Sequence, residues 1–312
     1  MRAARIHEPG EPPRLDEVDE PAATAERPVL RVRAAALNPL DLAVGAGRFY
    51  GGHPPLPYIP GSEAIVERAD GTRAWFFGDG AGVARDGTLG ERAVVRGDSL
   101  IPIPDDADDA IAAALGIAGV AGWGAVMRAR IGPGDRVLIL GATGSAGMVA
   151  LQGARLLGAQ RVVAVGRDPE RLEAAREHGA DEIVRLGSPD VIARFKEASG
   201  GVGPTVVIDM LWGEPVVAAA EAAAPHARIV NVGQSAGAEA PLTSAAVRGK
   251  ELELLGFSNF GRTPAELREL YLGLLAHAQA GRIRVPLETF SLDDVAHAWD
   301  RQAAGAKSVV VP

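Results

Sequence analysis

The chain has 312 residues, 47% of them hydrophobic, with a formal net charge of −8. That length supports two domains with separate cores, and no lysine or arginine block offers a surface for nucleic acid. Cysteine is absent, which excludes disulfides, thiol catalysis, thiolate metal sites and iron–sulfur clusters.

The opening stretch MRAARIHEPGEPP has no apolar core and no cleavage pattern, so a cytoplasmic setting is expected. The first hundred residues are rich in Gly and Pro and hold short β-like runs at 29–34, 63–67, 73–77 and 91–95. The closely spaced turn signals between them predict a small, irregular β-barrel or sandwich. Trp75, Phe76 and Phe77 wall a pocket or fill the core, and core is the better reading for at least two of them. Residues 101–109 (IPIPDDADD) read as a linker and helix start. Residues 110–127 are uncharged and approach the length of a membrane helix. They are mostly Ala and Gly, which gain little from lipid, so a closely packed soluble segment and no membrane contact are expected.

The pattern changes after Ile131. Strands are predicted at 136–140, 161–165, 182–186, 205–210, 228–232 and 251–257. Helices are predicted at 145–157, 169–178 and 214–224, with a further one capped by Ser188 ahead of Pro189. Apolar strands alternating with helices mean a parallel sheet covered on both faces. The tail starts with a capping box, Thr263 and Glu266 around Pro264, and its helix ends at Gly281. A helix at 292–303 and a strand at 308–311 close the chain. This tail is not another α/β repeat and is expected to return to the first domain.

Residues 138–148 read LILGATGSAGM. Strand, glycine-rich turn and helix start follow in the order a dinucleotide site requires. Gly141, Ala142, Thr143 and Gly144 form the turn. Gly144 lets the backbone approach a pyrophosphate, and Gly147 lets the helix pack on the strand. The N–H groups of Ser145, Ala146 and Gly147 face the ligand. Ala142 replaces the first glycine of the fingerprint and is tolerated if its φ stays negative.

The choice of dinucleotide lies at the end of the second strand. An NAD site places an acidic residue there. Here Gly166, Arg167 and Asp168 precede Pro169. Asp168 is better explained as a helix N-cap. Gly166 leaves room where a carboxylate would stand, and Arg167, with Arg171 one turn on, can pair with a 2′-phosphate. NADP(H) is therefore expected, with a solvated helix face the competing explanation for Arg171.

Several ordered motifs resemble the medium-chain dehydrogenase/reductase superfamily, and specifically its zinc-independent quinone oxidoreductase branch. They are AAALNPLDLAVGAGRFY (34–50), LPYIPGSEAIVE (56–67), LGIAGVAGWGAV (115–126), GATGSAG and the closing AGAKSVVVP (304–312). The resemblance implies an α/β fold: a Rossmann domain at 113–260 and a GroES-like catalytic domain made from 1–112 and 261–312. Zinc-dependent relatives carry a G-H-E turn and cysteine ligands. Here the turn is Gly61-Ser62-Glu63, and none of the six histidines has a neighbour at metal-ligand spacing. No metal is expected.

The resemblance implies hydride transfer from NADPH to a small molecule, a quinone or an activated alkene. A 2-enoyl thioester reductase is the alternative within enzymes, and a non-catalytic NADPH-binding or sensing protein the alternative outside them. Tyr50 is the first candidate proton donor, with pocket wall an equal reading. The tyrosine of enoyl-reducing relatives aligns with Phe49. Asn38 is implied to face the nicotinamide end of the cofactor, with turn and cap bonding the alternative for it and the preferred reading for Asp41. Val232 and Gly233 after the fifth strand, and Phe257 and Ser258 after the sixth, are implied to line the cofactor. Relatives pair the last strand across a two-fold axis, so a homodimer through the strand from Glu251 to Phe257 is expected.

Overall fold

The computed structural model describes every residue from Met1 to Pro312, and they form two compact units. One holds Met1–Ala118, Arg262–Leu275 and Val285–Pro312; the other holds Gly119–Gly261 and Ala276–Arg284.

The first unit is built on a mixed, mostly antiparallel sheet of seven strands. Its path runs Glu288–Ser291, Ser308–Val311, Val29–Ala36, Glu63–Glu67, Arg73–Phe77 and Leu100–Pro102, with Arg92–Val94 paired to Val29–Ala36. The closing strand 308–311 thus lies between the 288–291 strand and the N-terminal half of the sheet. Trp75, Phe76 and Phe77 are all buried, so all three serve the core. Trp75 also stacks on Tyr271, with ring centroids 4.3 Å apart.

The second unit carries six parallel strands. They are Arg136–Leu140, Arg161–Gly166, Glu182–Arg185, Val206–Asp209, Arg228–Asn231 and Glu253–Gly256. Numbered within this sheet, their spatial order is 3-2-1-4-5-6. This is the doubly wound dinucleotide-binding order, whose switch point falls between the first and fourth strands. Continuous burial along Val137–Leu140 and Val162–Val165 reflects cover on both faces.

The alanine- and glycine-rich segment forms two helices, Asp109–Ala114 and Ile117–Arg128. Its glycines are contact points. A β-carbon at Gly122 would sit 2.1 Å from the Ala146 carbonyl oxygen, and one at Gly124 would sit 2.0 Å from the Phe257 ring. No helix of the chain is long and apolar enough to cross a membrane.

Several elements differ from the sequence expectations. Pro39–Gly45 is a helix that was not expected, although Asp41, accepting from the N–H of the N-cap Asn38 at 2.7 Å, makes the cap bond expected of it. The stretch read as a linker contributes the strand Leu100–Pro102, because its backbone pairs with Ala74–Phe76. The helix Val191–Ala198 is preceded by Asp190 at φ 57°, not capped by Ser188. The last strand of the second unit is shorter than expected, Glu253–Gly256. The tail does not return whole to the first unit. Ala276–Arg284 belongs to the second, where Gln152 donates to the Arg284 carbonyl at 2.8 Å and accepts from the Arg284 N–H at 2.9 Å. Thr263 and Glu266 form the expected capping box.

Candidate functional site

The turn at 141–147 has the geometry of a phosphate cradle. Gly141 lies at φ +82°, a left-handed conformation that favours glycine. Ala142 keeps a negative φ and is fully buried, so its methyl is accommodated. At Gly147 a β-carbon would lie 2.1 Å from the Gly141 carbonyl oxygen. Only glycine lets the helix Ser145–Leu156 start this close to the strand. At Gly144 the nearest atom to a β-carbon is 3.7 Å away, so this position leaves open space above the turn. No backbone acceptor in the chain takes the N–H groups of Ser145, Ala146 and Gly147. Three free donors at the positive end of a 12-residue helix suit an anionic oxygen.

The end of the neighbouring strand is cationic. Arg167 is exposed, and its guanidinium makes no hydrogen bond or ion pair. Asp168 accepts from the N–H groups of Glu170 and Arg171 at 3.0 and 3.1 Å, which makes it the N-cap that the sequence suggested. Arg171 stands 3.9 Å from Asp168. The room expected at Gly166 is filled, since a β-carbon there would lie 3.1 Å from the Thr143 methyl and 3.3 Å from Leu172. An acidic side chain at 166 would have to displace both. Sequence reasoning overlooked Arg185, which faces Gly166 in the strand register and donates to the Arg167 carbonyl at 3.2 Å. A basic residue closing the third strand was the available signal.

Val232 is half-buried after the fifth strand, and Gly233 passes so near Met210 that a β-carbon would lie 2.7 Å from its carbonyl oxygen. Phe257 is buried against Gly124, and Ser258 is exposed.

The first unit places Asn38 in a buried polar network. Its amide donates to Glu63 at 2.7 Å and to the Ala36 carbonyl at 3.3 Å, and its Oδ1 accepts from Lys307 at 2.9 Å. Glu63 also accepts from the Trp75 indole at 2.8 Å and the Ile117 N–H at 2.7 Å. Lys307 donates as well to the Leu37 carbonyl at 2.9 Å. Burial pushes the Glu63 carboxyl up and the Lys307 ammonium down from their usual ranges, and each is the other's main counter-charge. Asn38 therefore has its amide committed inside the unit. Glu63 and Lys307 were visible only as family motif positions.

Tyr50 is 91% exposed and lies against Phe49, with ring centroids 4.3 Å apart and the rings tilted by 40°. No group of three His, Asp or Glu side chains is arranged to hold a metal ion.

A family model described as zinc-binding dehydrogenase matches residues 146–277. The chain is 31% identical over 327 residues to a component of the phenolphthiocerol/phthiocerol polyketide synthase of Mycobacterium tuberculosis. That match covers 97% of this chain and 14% of the relative, so the chain spans a small part of that protein's length. It is 29% identical over 290 residues to the quinone oxidoreductase of Rattus norvegicus, covering 90% of this chain and 86% of the relative. The solved quinone oxidoreductase of Thermus thermophilus, described alone and with NADPH, matches with a TM-score of 0.81 at 28% identity over 100% of both chains. The chain belongs to the medium-chain dehydrogenase/reductase superfamily, in its quinone oxidoreductase-like branch.

Proposed function

We propose that the protein is an NADPH-dependent, zinc-independent reductase of a quinone or an activated alkene. The observation that carries this reading is the pairing of a phosphate-ready turn at 141–147 with an unpaired Arg167 at the end of the next strand. The turn suits a pyrophosphate, and Arg167, with Arg185 beside it, suits the 2′-phosphate that distinguishes NADP from NAD. NADPH, when bound, supplies a hydride. The Thermus relative with NADPH supports the same cofactor.

The donor set argues for reduction without a metal. No triad of ligating side chains is assembled, and Ser62 and Asn38 are weak ligands for zinc. An electron-poor acceptor needs no Lewis acid to take a hydride. The developing oxyanion then requires a proton, from solvent or from a phenol such as Tyr50. The test is NADPH oxidation followed by absorbance against a panel of quinones, enones and enoyl thioesters.

A second reading, reduction of a 2-enoyl thioester, is favoured by the 31% identity to a polyketide synthase segment. Turnover confined to thioesters, and lost in Tyr50→Phe, would select it. Binding without turnover on any acceptor would instead select a sensing role.

A homodimer fits the same reading. The strand Glu253–Gly256 pairs only with Arg228–Asn231, which leaves one edge without a partner, and Leu254 on it is exposed. Sedimentation at micromolar concentration tests it: a 64 kDa particle (twice 32.2 kDa) is expected, and a 32.2 kDa one would exclude it.

A further inference from the structure

The loop after the fourth strand of the parallel sheet holds an unusual backbone. Trp212 sits at φ 56° and ψ −158°, a region that bulky residues avoid, and Gly213 follows at φ +62°. Such a conformation persists only where its surroundings over-determine it. Here the determinant is Asp209, the last residue of the strand and fully buried. Its Oδ1 accepts from the N–H groups of Leu211 and Trp212, both at 2.9 Å, and its Oδ2 accepts from the Asn231 amide at 3.0 Å.

The loop is also tied on two sides. On one, Ala236 donates to the Leu211 carbonyl at 2.8 Å, and Ser235 donates to the Met210 carbonyl at 3.2 Å. On the other, the phosphate turn leans against it: a β-carbon at Gly141 would lie 3.0 Å from the Leu211 side chain. The fourth strand borders the first at the switch point, where a dinucleotide crosses the carboxyl ends of the strands.

We infer that Asp209 is a positioning residue for the cofactor. Its carboxylate locks the 210–213 loop in a strained shape beside the turn, and so sets the wall that the nicotinamide half of the dinucleotide must pass. This rests on the nicotinamide-cofactor reading above. Asp209 acts through the loop and does not itself touch the ligand.

The test compares two probes, NADPH and its adenine-side fragment 2′,5′-ADP, on wild type, Asp209→Ala and Asp209→Asn. Asparagine keeps an acceptor for the two N–H groups, and alanine removes it. Asp209→Ala is expected to weaken NADPH by tenfold or more while 2′,5′-ADP stays within threefold, and Asp209→Asn, which keeps the acceptor for the two N–H groups but not the one for the Asn231 amide, to lose less than Asp209→Ala. Equal losses for both probes would mean a general structural role and overturn the inference, as would unchanged NADPH binding in Asp209→Ala. Should Asp209→Ala not fold, Asn231→Leu replaces it, because that variant removes the support for Oδ2. A loss confined to NADPH in Asn231→Leu upholds the inference, and no loss overturns it. A wild-type protein that binds neither probe would remove the cofactor reading itself.

Discussion

Lys307 Nζ lies 3.8 Å from Glu63 Oε1, with both side chains buried and the Asn38 side chain bonded to each. A residue five places from the C-terminal end is thereby joined to the helix start at Asn38 and to the turn that zinc-dependent relatives use for metal. Removing one charge leaves the other buried and uncompensated. Lys307→Met is expected to cost about 3–5 kcal/mol, and the double variant with Glu63→Gln to cost less than the sum of the singles. Urea unfolding of the four proteins measures this directly.

Asp41 gives the stability a pH dependence of its own. Burial raises its carboxyl to about 6, with Ser62 and the Asn38 N–H opposing the rise. The unfolded chain releases this proton near pH 4, while the folded chain holds it to about 6. Between those values the unfolded state binds fewer protons, so stability falls as pH rises through the window and is level above it. Asp41→Asn should flatten that slope and stabilise the protein at pH 7 by about 2–3 kcal/mol at most. Melting temperatures from pH 4 to 8 for both proteins test it; parallel curves would contradict it.

Two glycines of one turn should fail differently. Gly147→Ala places a methyl 2.1 Å from the Gly141 carbonyl oxygen, and such overpacking costs about 1–3 kcal/mol or more. Gly144→Ala meets nothing nearer than 3.7 Å and has an ordinary φ of −86°. Its melting temperature should hold while NADPH affinity falls, because the methyl fills the space of the approaching pyrophosphate. Calorimetric melting and titration of both variants separate the two effects.

Arg167 is the expected reader of the 2′-phosphate, with no partner to give up on binding. Arg167→Glu should weaken NADPH about tenfold or more and leave NADH nearly unchanged, in line with about 1.5–3 kcal/mol for a charge-assisted hydrogen bond. Equal affinities of the wild type for NADPH and NADH would contradict this assignment.

The parallel sheet was the most legible part of the chain. Its apolar strands are long, alternate with helices, and carry a recognisable turn after the first. The first unit was read less fully, because strands such as Arg2–Arg5 and Arg14–Glu17 have little alternation and exist by pairing with each other. The helix Pro39–Gly45 carried its signal openly, an Asn cap, a proline at the first position and Asp41 three residues on, and of these only the cap bonding of Asp41 was read. At the candidate site, the shape of the turn and the cap at Asp168 could be read locally. The Glu63–Lys307 contact and the Asp209 loop could not, because each joins residues that are remote in sequence or depends on a backbone angle that no residue type announces.

The most direct measurement is NADPH consumption, followed by absorbance, by the purified protein against the acceptor panel, with and without a metal chelator. Turnover of a quinone or activated alkene, faster with NADPH than with NADH and unaffected by the chelator, is the predicted result. Activity abolished by the chelator and restored by zinc, or tight NADPH binding with no oxidation by any acceptor, would contradict it.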